Sequence, residues 1–204
     1  MRYGDTHKAE THAKLVRLAG RVLREKGPQD LAVAELMQTA GLTHGGFYAH
    51  FKSKSALLVE ALESVFEESN QNFQRVTHGL PPRRALARYI DIYVAPAHRD
   101  NRSGGCPIVA LNSDLPRQSK KFRTTFNAGV KLLLSKLAGW IEAAGITNGE
   151  ALAASVLSAM AGAVAVSRTV SDERLSDELL DAARASIKAR LGLCEAGSEG
   201  GTAR

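Results

Sequence analysis

The chain has 204 residues, of which 44% are hydrophobic and 24% charged, and its net charge is +6. This length suits one large domain or two small ones, and the composition excludes a mostly disordered chain. Few prolines and abundant Ala and Leu predict an all-α fold of about nine helices.

The first helix is predicted to begin at Asp5 or Thr6 and to end at Lys26, because Gly27-Pro28 stops it. Its apolar stripe follows helical spacing and consists of Leu15, Leu18, Ala19 and Val22. Another face of the same helix carries cations. We expect three of them to form a solvated surface: Arg17, Arg21 and Arg24.

Residues 40–54 read Ala-Gly-Leu-Thr-His-Gly-Gly-Phe-Tyr-Ala-His-Phe-Lys-Ser-Lys and indicate the turn and second helix of a helix-turn-helix. Gly41 supplies the positive φ that a tight turn after a short helix at 33–40 requires. Thr43 is expected to cap the next helix by accepting a backbone N–H. Phe47 and Phe51 share one face and anchor that helix to a core.

The two glycines inside this segment, Gly45 and Gly46, cost about 1 kcal/mol each relative to alanine. Their presence favours a backbone that approaches a large flat surface such as DNA. Residues 1–54 also hold nine Lys and Arg against five acidic residues, a net charge of +4, whereas the other 150 residues carry +2. This asymmetry indicates phosphate contact, with a solvated basic surface as the alternative.

A fourth, connecting helix is predicted from Lys54 to about Val76, with Ser53 as its cap. Pro81-Pro82 opens the next helix, Pro96 ends it, and residues 97–105 form a polar loop. Cys106-Pro107 resembles an N-cap followed by Pro at the first helical position. A long helix then runs from near Phe122 to Gly145.

Residues 147–150, Thr-Asn-Gly-Glu, match a capping box and predict the start of a charge-free helix at 151–167. This helix is rich in Ala, Ser and Gly, which favours a buried helix over a membrane span. Ser176 is expected to start the last helix and Gly192 to end it, and residues 194–204 form a flexible tail. Small residues on the first of these helices and apolar residues on the second predict a four-helix homodimer interface.

Residues 6–62 resemble the DNA-binding part of TetR-family transcriptional regulators. The resemblance rests on the helix ending at Gly27, the turn at 40–42, Gly-Phe-Tyr-x-His-Phe at 46–51 and Lys-Ser-Lys at 52–54. Gly-Leu-Thr-His-Gly-Gly-Phe-Tyr and the later Gly-Cys-Pro are similar to one subset of that family. The family usually has Ser or Thr capping the second helix, whereas this chain has Leu31-Ala32.

The resemblance implies a cytoplasmic homodimer, a repressor, that binds an operator palindrome in double-stranded DNA and releases it when a small molecule binds. By position, four residues would contact phosphates: Thr43, Tyr48, His50 and Lys54. His44, Gly45 and Gly46 would face the major groove, and Arg2 would reach the minor groove as an arm. The expected domains are 1–54 for DNA binding, 55–193 for ligand binding and dimerisation, and 194–204 as the tail.

The supply of aromatic residues after residue 65 predicts an effector pocket between helices, with ordinary core packing as the alternative. The candidate ligand-binding residues are Phe66, Tyr89, Tyr93, Cys106, Phe126 and Met160. Cys106, at a helix N-terminus, suggests a second hypothesis: a thiol of lowered pKa that senses electrophiles or oxidants. Its alternative is a small residue that merely caps a helix.

Two other function classes compete with an effector-released repressor. One is an all-helical enzyme, although the chain has no Gly-x-Ser-x-Gly, phosphate loop or His-Glu-x-x-His pattern, and we expect neither catalysis, metal nor cofactor. The other is a DNA-binding activator or architectural protein without an effector. Two cysteines without a CxxC pair fit a reducing cytoplasm.

Overall fold

The computed structural model describes the backbone of residues 2–193 and the side chains from Thr6 onward. This part of the chain contains nine α-helices, two short 3-10 helices and no strand, which confirms the all-α prediction. The predicted tail at 194–204 and the side chain of Arg2 lie outside the described residues. The α-helices are α1 Arg2–Lys26, α2 Val33–Thr39, α3 Lys54–Thr77, α4 Pro82–Tyr93, α5 Pro96–Asp100, α6 Pro107–Leu111, α7 Lys120–Ala143, α8 Gly149–Ser167 and α9 Glu173–Arg190.

The N-terminal helices pack around one apolar core, and we call this part, residues 6–54, the head. Leu15, Leu23 and Met37 are fully buried there. The turn after α2 depends on Gly41, whose φ is 78°. Its N–H donates to the Gln38 carbonyl at 2.9 Å, and the next N–H, of Leu42, reaches the Met37 carbonyl at 2.9 Å. These two bonds form a Schellman ending, which aims the chain into the 3-10 helix His44–Ala49.

Helix α3 connects the head to the rest of the chain. The Ser53 Oγ accepts from the Ala56 N–H at 3.1 Å, so the predicted cap is confirmed. With 24 residues, α3 is about 36 Å long. Its buried face packs against both α1 and α7.

A second core lies among α4, α7, α8 and α9, where Ile90, Ile141, Met160 and Leu180 are fully buried. Helix α8 is long and apolar enough to span a membrane by composition, with a mean hydropathy of 1.6. It instead packs between α7 and α9.

Several predictions of helix boundaries and caps are wrong. Helix α1 begins at Arg2 rather than at Asp5 or Thr6. Helix α4 ends at Tyr93, and Pro96 begins the helix α5 within the segment predicted as a loop. The capping box at residues 147–150 does not form, because the N-cap Asn148 has φ 62° and makes no side-chain cap bond. Helix α9 begins three residues early, since the Asp172 carboxylate caps the Leu175 N–H at 3.2 Å.

The expected solvated cationic face of α1 is also wrong at one position. Arg24 is only 6% exposed, whereas Arg17 and Arg21 are exposed as expected. Arg24 lies near the end of α1, where α3 packs beside it, and its Nη2 donates to the Glu68 carboxylate at 2.9 Å. The sequence predicts which face of a helix a residue lies on, but it does not predict which distant element packs against that face.

Candidate DNA-binding surface and effector cavity

The segment predicted as the second helix of the helix-turn-helix is the 3-10 helix His44–Ala49. Its N-cap residue is Thr43, but the Thr43 side chain makes no cap hydrogen bond, so that prediction is wrong. The backbone closes the turn instead, with the Gly46 N–H donating to the Thr43 carbonyl at 3.0 Å. The Thr43 side chain is therefore exposed at the start of the segment without a capping role.

One side of this 3-10 helix is anchored and the other is open. Phe47 and Phe51 are each 2% exposed, and their ring centroids lie 5.5 Å apart in the head core. Tyr48 is 72% exposed and meets the Phe47 ring only edge-on. With Thr43, His44 and Gly45 also exposed, the chain presents a continuous polar and glycine-bearing surface to solvent.

The glycines of this surface have no internal steric cause. A Cβ added to Gly45 would find no atom within 4 Å, and one added to Gly46 would meet Met37 Cε at an ordinary 3.5 Å. Neither residue has a positive φ. Alanine at these positions would therefore fit the folded protein.

His50 and His12 lie together beside this surface, with ring centroids 6.2 Å apart. Burial lowers the pKa of His50, and the neighbouring His12 and Lys8 lower it further. The His50 Nδ1 is buried without a hydrogen-bond partner among the described residues. His12 is held by the Glu60 carboxylate at 2.6 Å and by stacking on Phe51.

Lys54, at the first position of α3, donates from Nζ to the Gln29 carbonyl at 3.2 Å. This bond holds the ammonium group at the end of the head, beside the N-terminus of the helix. Of the eight predicted DNA-binding residues, the structure thus places seven on or beside one surface. Arg2 is the exception, because its side chain lies outside the described part.

A cavity of about 300 Å³ lies between the head and the C-terminal helices. It brings together three of the predicted ligand-binding residues, Tyr89, Tyr93 and Cys106. The other three, Phe66, Phe126 and Met160, are buried elsewhere in the core and do not line it. The remaining lining residues are not among the predicted ligand-binding residues: Arg24, Glu68, Ser69, Asn72, Phe73, Val76, Ile92, His98, Asn101, Gly104, Gly105 and Leu133.

His98 organises one wall of the cavity. Its Nδ1 lies 2.6 Å from the Tyr93 carbonyl, which can only accept, so Nδ1 carries the proton. Its Nε2 accepts from the Cys106 N–H at 3.0 Å. The neutral ring thereby joins the end of α4 to the start of α6, and burial lowers the pKa of His98.

Cys106 is the N-cap residue of α6, as predicted, but its thiol is not activated. Burial raises the pKa of Cys106 and outweighs the hydrogen bonds that lower it. The predicted low-pKa thiolate is therefore wrong, since the apolar surroundings oppose the charged form more than the helix N-terminus favours it.

Two arginines hold the segment from α5 to α6: Arg99, which is buried and lies in the segment predicted as a loop, and Arg168, at the C-terminal end of α8. Arg99 donates from Nη1 to Ser176 Oγ at 2.8 Å and to the Asp177 carboxylate at 2.6 Å, on α9. Arg168 Nε donates to the Arg99 carbonyl at 2.8 Å. These bonds fix the wall that carries His98 and Cys106.

Two family models match the chain. The model for bacterial regulatory proteins of the TetR family matches residues 15–61, which comprise most of the head and the start of α3. The model for the C-terminal domain of LmrA/YxaF-like transcriptional regulators matches residues 82–185. The chain belongs to the TetR family of transcriptional regulators.

Individual relatives agree with this assignment. The regulator EthR of Mycolicibacterium smegmatis is 26% identical over 137 residues, covering 66% of this chain and 60% of EthR. The regulator YerO of Bacillus subtilis is 30% identical over 84 residues, 40% of this chain and 29% of YerO. This TetR-family chain therefore matches less than two thirds of the length of either relative.

Solved structures extend the likeness over nearly the whole fold. The reduced form of Escherichia coli NemR is 20% identical, with a TM-score of 0.77 over 88% of this chain and 97% of NemR. A TetR regulator from Chloroflexus aurantiacus is 21% identical, with a TM-score of 0.78 over 94% of this chain and 97% of its own. At these identities the likeness concerns the fold.

Proposed function

We propose that this TetR-family regulator is a cytoplasmic repressor that binds a palindromic operator as a homodimer and is released by a small-molecule effector. The observation that carries the DNA-binding part is the open side of the 3-10 helix. Gly45 has no internal neighbour that would exclude a side chain, and Tyr48 is 72% exposed directly beside it. A bare backbone next to an exposed phenol suits close approach to a groove wall.

Within this proposal, the residues divide by the part of DNA that they contact. Thr43, Tyr48, His50 and Lys54 bind phosphates, and Lys54 is assisted by the N-terminus of α3. The residues that face base edges in the major groove are His44, Gly45 and Gly46. Arg2 extends into the minor groove.

The homodimer forms through α8 and α9. Val166 on α8 is 51% exposed and Leu175, just inside α9, is 46% exposed, although both are large and apolar. Gly162 is exposed and has open space at its Cβ position, which allows a partner helix to approach closely. Two copies related by a two-fold axis would place the reading segments about 34 Å apart, one turn of DNA. A monomer by light scattering at micromolar concentration would contradict this interface.

The test begins with a selection of bound duplex sequences, followed by titration of the selected duplex in fluorescence anisotropy. We expect Gly45→Ala to weaken binding at least tenfold, about 1.4 kcal/mol, because the added methyl meets DNA. Stability should not fall, because the methyl meets nothing within the protein. The matched control is Gly139→Ala on α7, whose Cβ position is also open, and which should leave DNA affinity unchanged.

The same titration across salt concentrations checks the phosphate contacts. Affinity should fall steeply as salt rises, because each neutralised phosphate releases counterions. Tyr48→Phe should weaken binding to most sequences similarly. Equal affinity of Gly45→Ala and the wild type, or no binding to any duplex at low salt, would overturn the proposed DNA contact.

A second candidate function, thiol sensing, is favoured by one observation: Cys106 lines the cavity. The raised pKa of the Cys106 thiol opposes it, since the thiolate is the reactive form. Under the proposed function, Cys106→Ser retains release by non-reactive compounds. If Cys106→Ser abolishes release by thiol-reactive agents alone, sensing at Cys106 replaces reversible binding.

A further inference from the structure

Arg24, which lies on helix α1 of the head, lines one wall of the cavity. Its side chain is 4% exposed, and its Nη2 donates to the Glu68 carboxylate at 2.9 Å. The Nε–H of the same guanidinium is buried and has no hydrogen-bond partner among the described residues. A buried cationic donor without an acceptor is unfavourable, and an acceptor in the cavity would remove that cost.

A second donor at the cavity wall has only a weak acceptor beside it. The Tyr93 hydroxyl is buried, and its neighbour is the Cys106 thiol, whose sulfur accepts hydrogen bonds weakly. Burial raises the pKa of Tyr93, so the phenol keeps its proton and remains a donor. The cavity is also lined by apolar side chains, among them Phe73, Ile92 and Leu133.

The charges around the cavity favour an anion. Glu68 is the carboxylate that lines it, and the Glu68 side chain is 40% exposed. His98 is neutral, because its Nε2 accepts a hydrogen bond. Arg168 lies directly behind the wall, bound to the carbonyls of His98 and Arg99, while the nearby Asp100 is paired with Arg99. Among the described residues no carboxylate forms an ion pair with Arg168, so the wall has an uncompensated positive charge behind it.

We propose, resting on the proposed function, that the effector is a small amphipathic carboxylic acid with an aromatic or branched apolar body. Its carboxylate binds Arg24 and displaces Glu68, and its body fills the apolar part of the cavity. The displacement is inexpensive on the Glu68 side, since that half-exposed carboxylate can turn into water. A charge-assisted pair between guanidinium and ligand is stronger than a bond to a neutral acceptor.

This exchange connects effector binding to the head without a long relay. The Arg24–Glu68 pair joins the C-terminal end of α1 to the middle of α3. When the ligand carboxylate binds Arg24, the ion pair between α1 and α3 is lost. It is replaced by an ion pair between α1 and the bound ligand. The equilibrium between head positions then shifts by the difference in ligand affinity for the two states.

The test compares three probes that share one body and differ in charge: phenylacetate, its methyl ester and phenethylamine. Calorimetric titration of the full-length protein should show phenylacetate binding at least tenfold more tightly than either of the others. Arg24→Met should lose this preference, and Glu68→Gln should bind phenylacetate several-fold more tightly because it competes less for Arg24. The matched control, Arg21→Met, removes an exposed arginine from the same helix and should bind like the wild type.

Tighter binding of the amine or the ester, no binding of phenylacetate at millimolar concentration, or a preference for the acid that survives in Arg24→Met would overturn the assignment. If Arg24→Met fails to fold, Glu68→Gln still tests the assignment. Weaker binding of phenylacetate by Glu68→Gln than by the wild type would contradict it. Duplex binding by the ligand-free wild type is measured in parallel. If the ligand-free wild type does not bind the duplex, the proposed function is wrong. If it binds the duplex but prefers the amine, only the assignment of the effector as a carboxylic acid is wrong.

Discussion

The proposed DNA-binding surface and the cavity proposed to bind an effector are built in different ways. The surface comes from one continuous stretch, residues 43–54, whose open side is set by two buried phenylalanines and a tight turn. The cavity is assembled from α1, α3, α4, the α5–α6 segment and α7. A site within one continuous stretch can be predicted from local sequence patterns. A site formed by residues from five separate parts of the fold cannot be predicted in this way.

The two regions are nevertheless physically continuous. Leu111 of α6 and Phe122 of α7 are buried in the same apolar cluster as the head residues. The head therefore packs against the C-terminal part through apolar contacts as well as through Arg24 and Glu68. We therefore expect a change in the cavity to be transmitted to the head through these packed side chains, which are not continuously deformable.

The largest effect on the free energy of unfolding should come from the buried side of the 3-10 helix, and its exposed side should have almost none. Phe47→Ala should lower the free energy of unfolding by about 3–5 kcal/mol, because it leaves a cavity in the head core. Tyr48→Ala, one residue away and exposed, should change it by no more than about 0.5 kcal/mol while weakening duplex binding. Urea denaturation and anisotropy measure the two properties. A large loss of stability in Tyr48→Ala would break the distinction between anchor and surface.

An intermediate effect should come from the packing of α3 on α7. A Cβ on Gly129 would lie 2.4 Å from the Phe66 ring, so Gly129→Ala should cost about 1–3 kcal/mol by overpacking. Gly139→Ala, on the same helix with open space, should instead gain up to about 1 kcal/mol from helix propensity. Thermal unfolding of the pair checks the opposite signs. Equal stability of both variants would show that α3 and α7 adjust freely.

The smallest effect should be a pH dependence from His98. Burial holds the pKa of folded His98 below its ordinary value of 6.5, so the unfolded chain binds the proton more readily. The resulting stability is fully present above about pH 6.5 and is lost as pH falls from there through the lower folded pKa. His98→Gln should reduce this slope, measured by urea denaturation at several pH values.

His50 contributes to the same slope with the same sign, because its pKa is also lowered by burial. His50→Gln therefore provides the comparison between the two regions. If the free energy of unfolding of His98→Gln depends on pH as in the wild type, and that of His50→Gln does not, the pH dependence comes from the head alone. Exposed His78, replaced by Gln, serves as the control.

Most helices were predictable because their signals are local. Ser53 caps α3, Gly41, Gly145 and Gly192 end helices with positive φ, and Cys106-Pro107 starts α6, all as expected. The errors occur where two local signals compete. Asp172 caps α9 in preference to Ser176, whose hydroxyl instead donates to the Ser167 carbonyl in the interior.

The sequence by itself determined the helical fold, the head and the exposed side of residues 43–50, because helical periodicity, glycine turns and aromatic anchors act within a few residues. Only the tertiary structure decided that Arg24 is buried against Glu68 and that Cys106 lies in an apolar wall. Burial and charge pairing depend on which distant element covers a side chain. The pKa of Cys106 and the chemistry of the cavity follow from that packing.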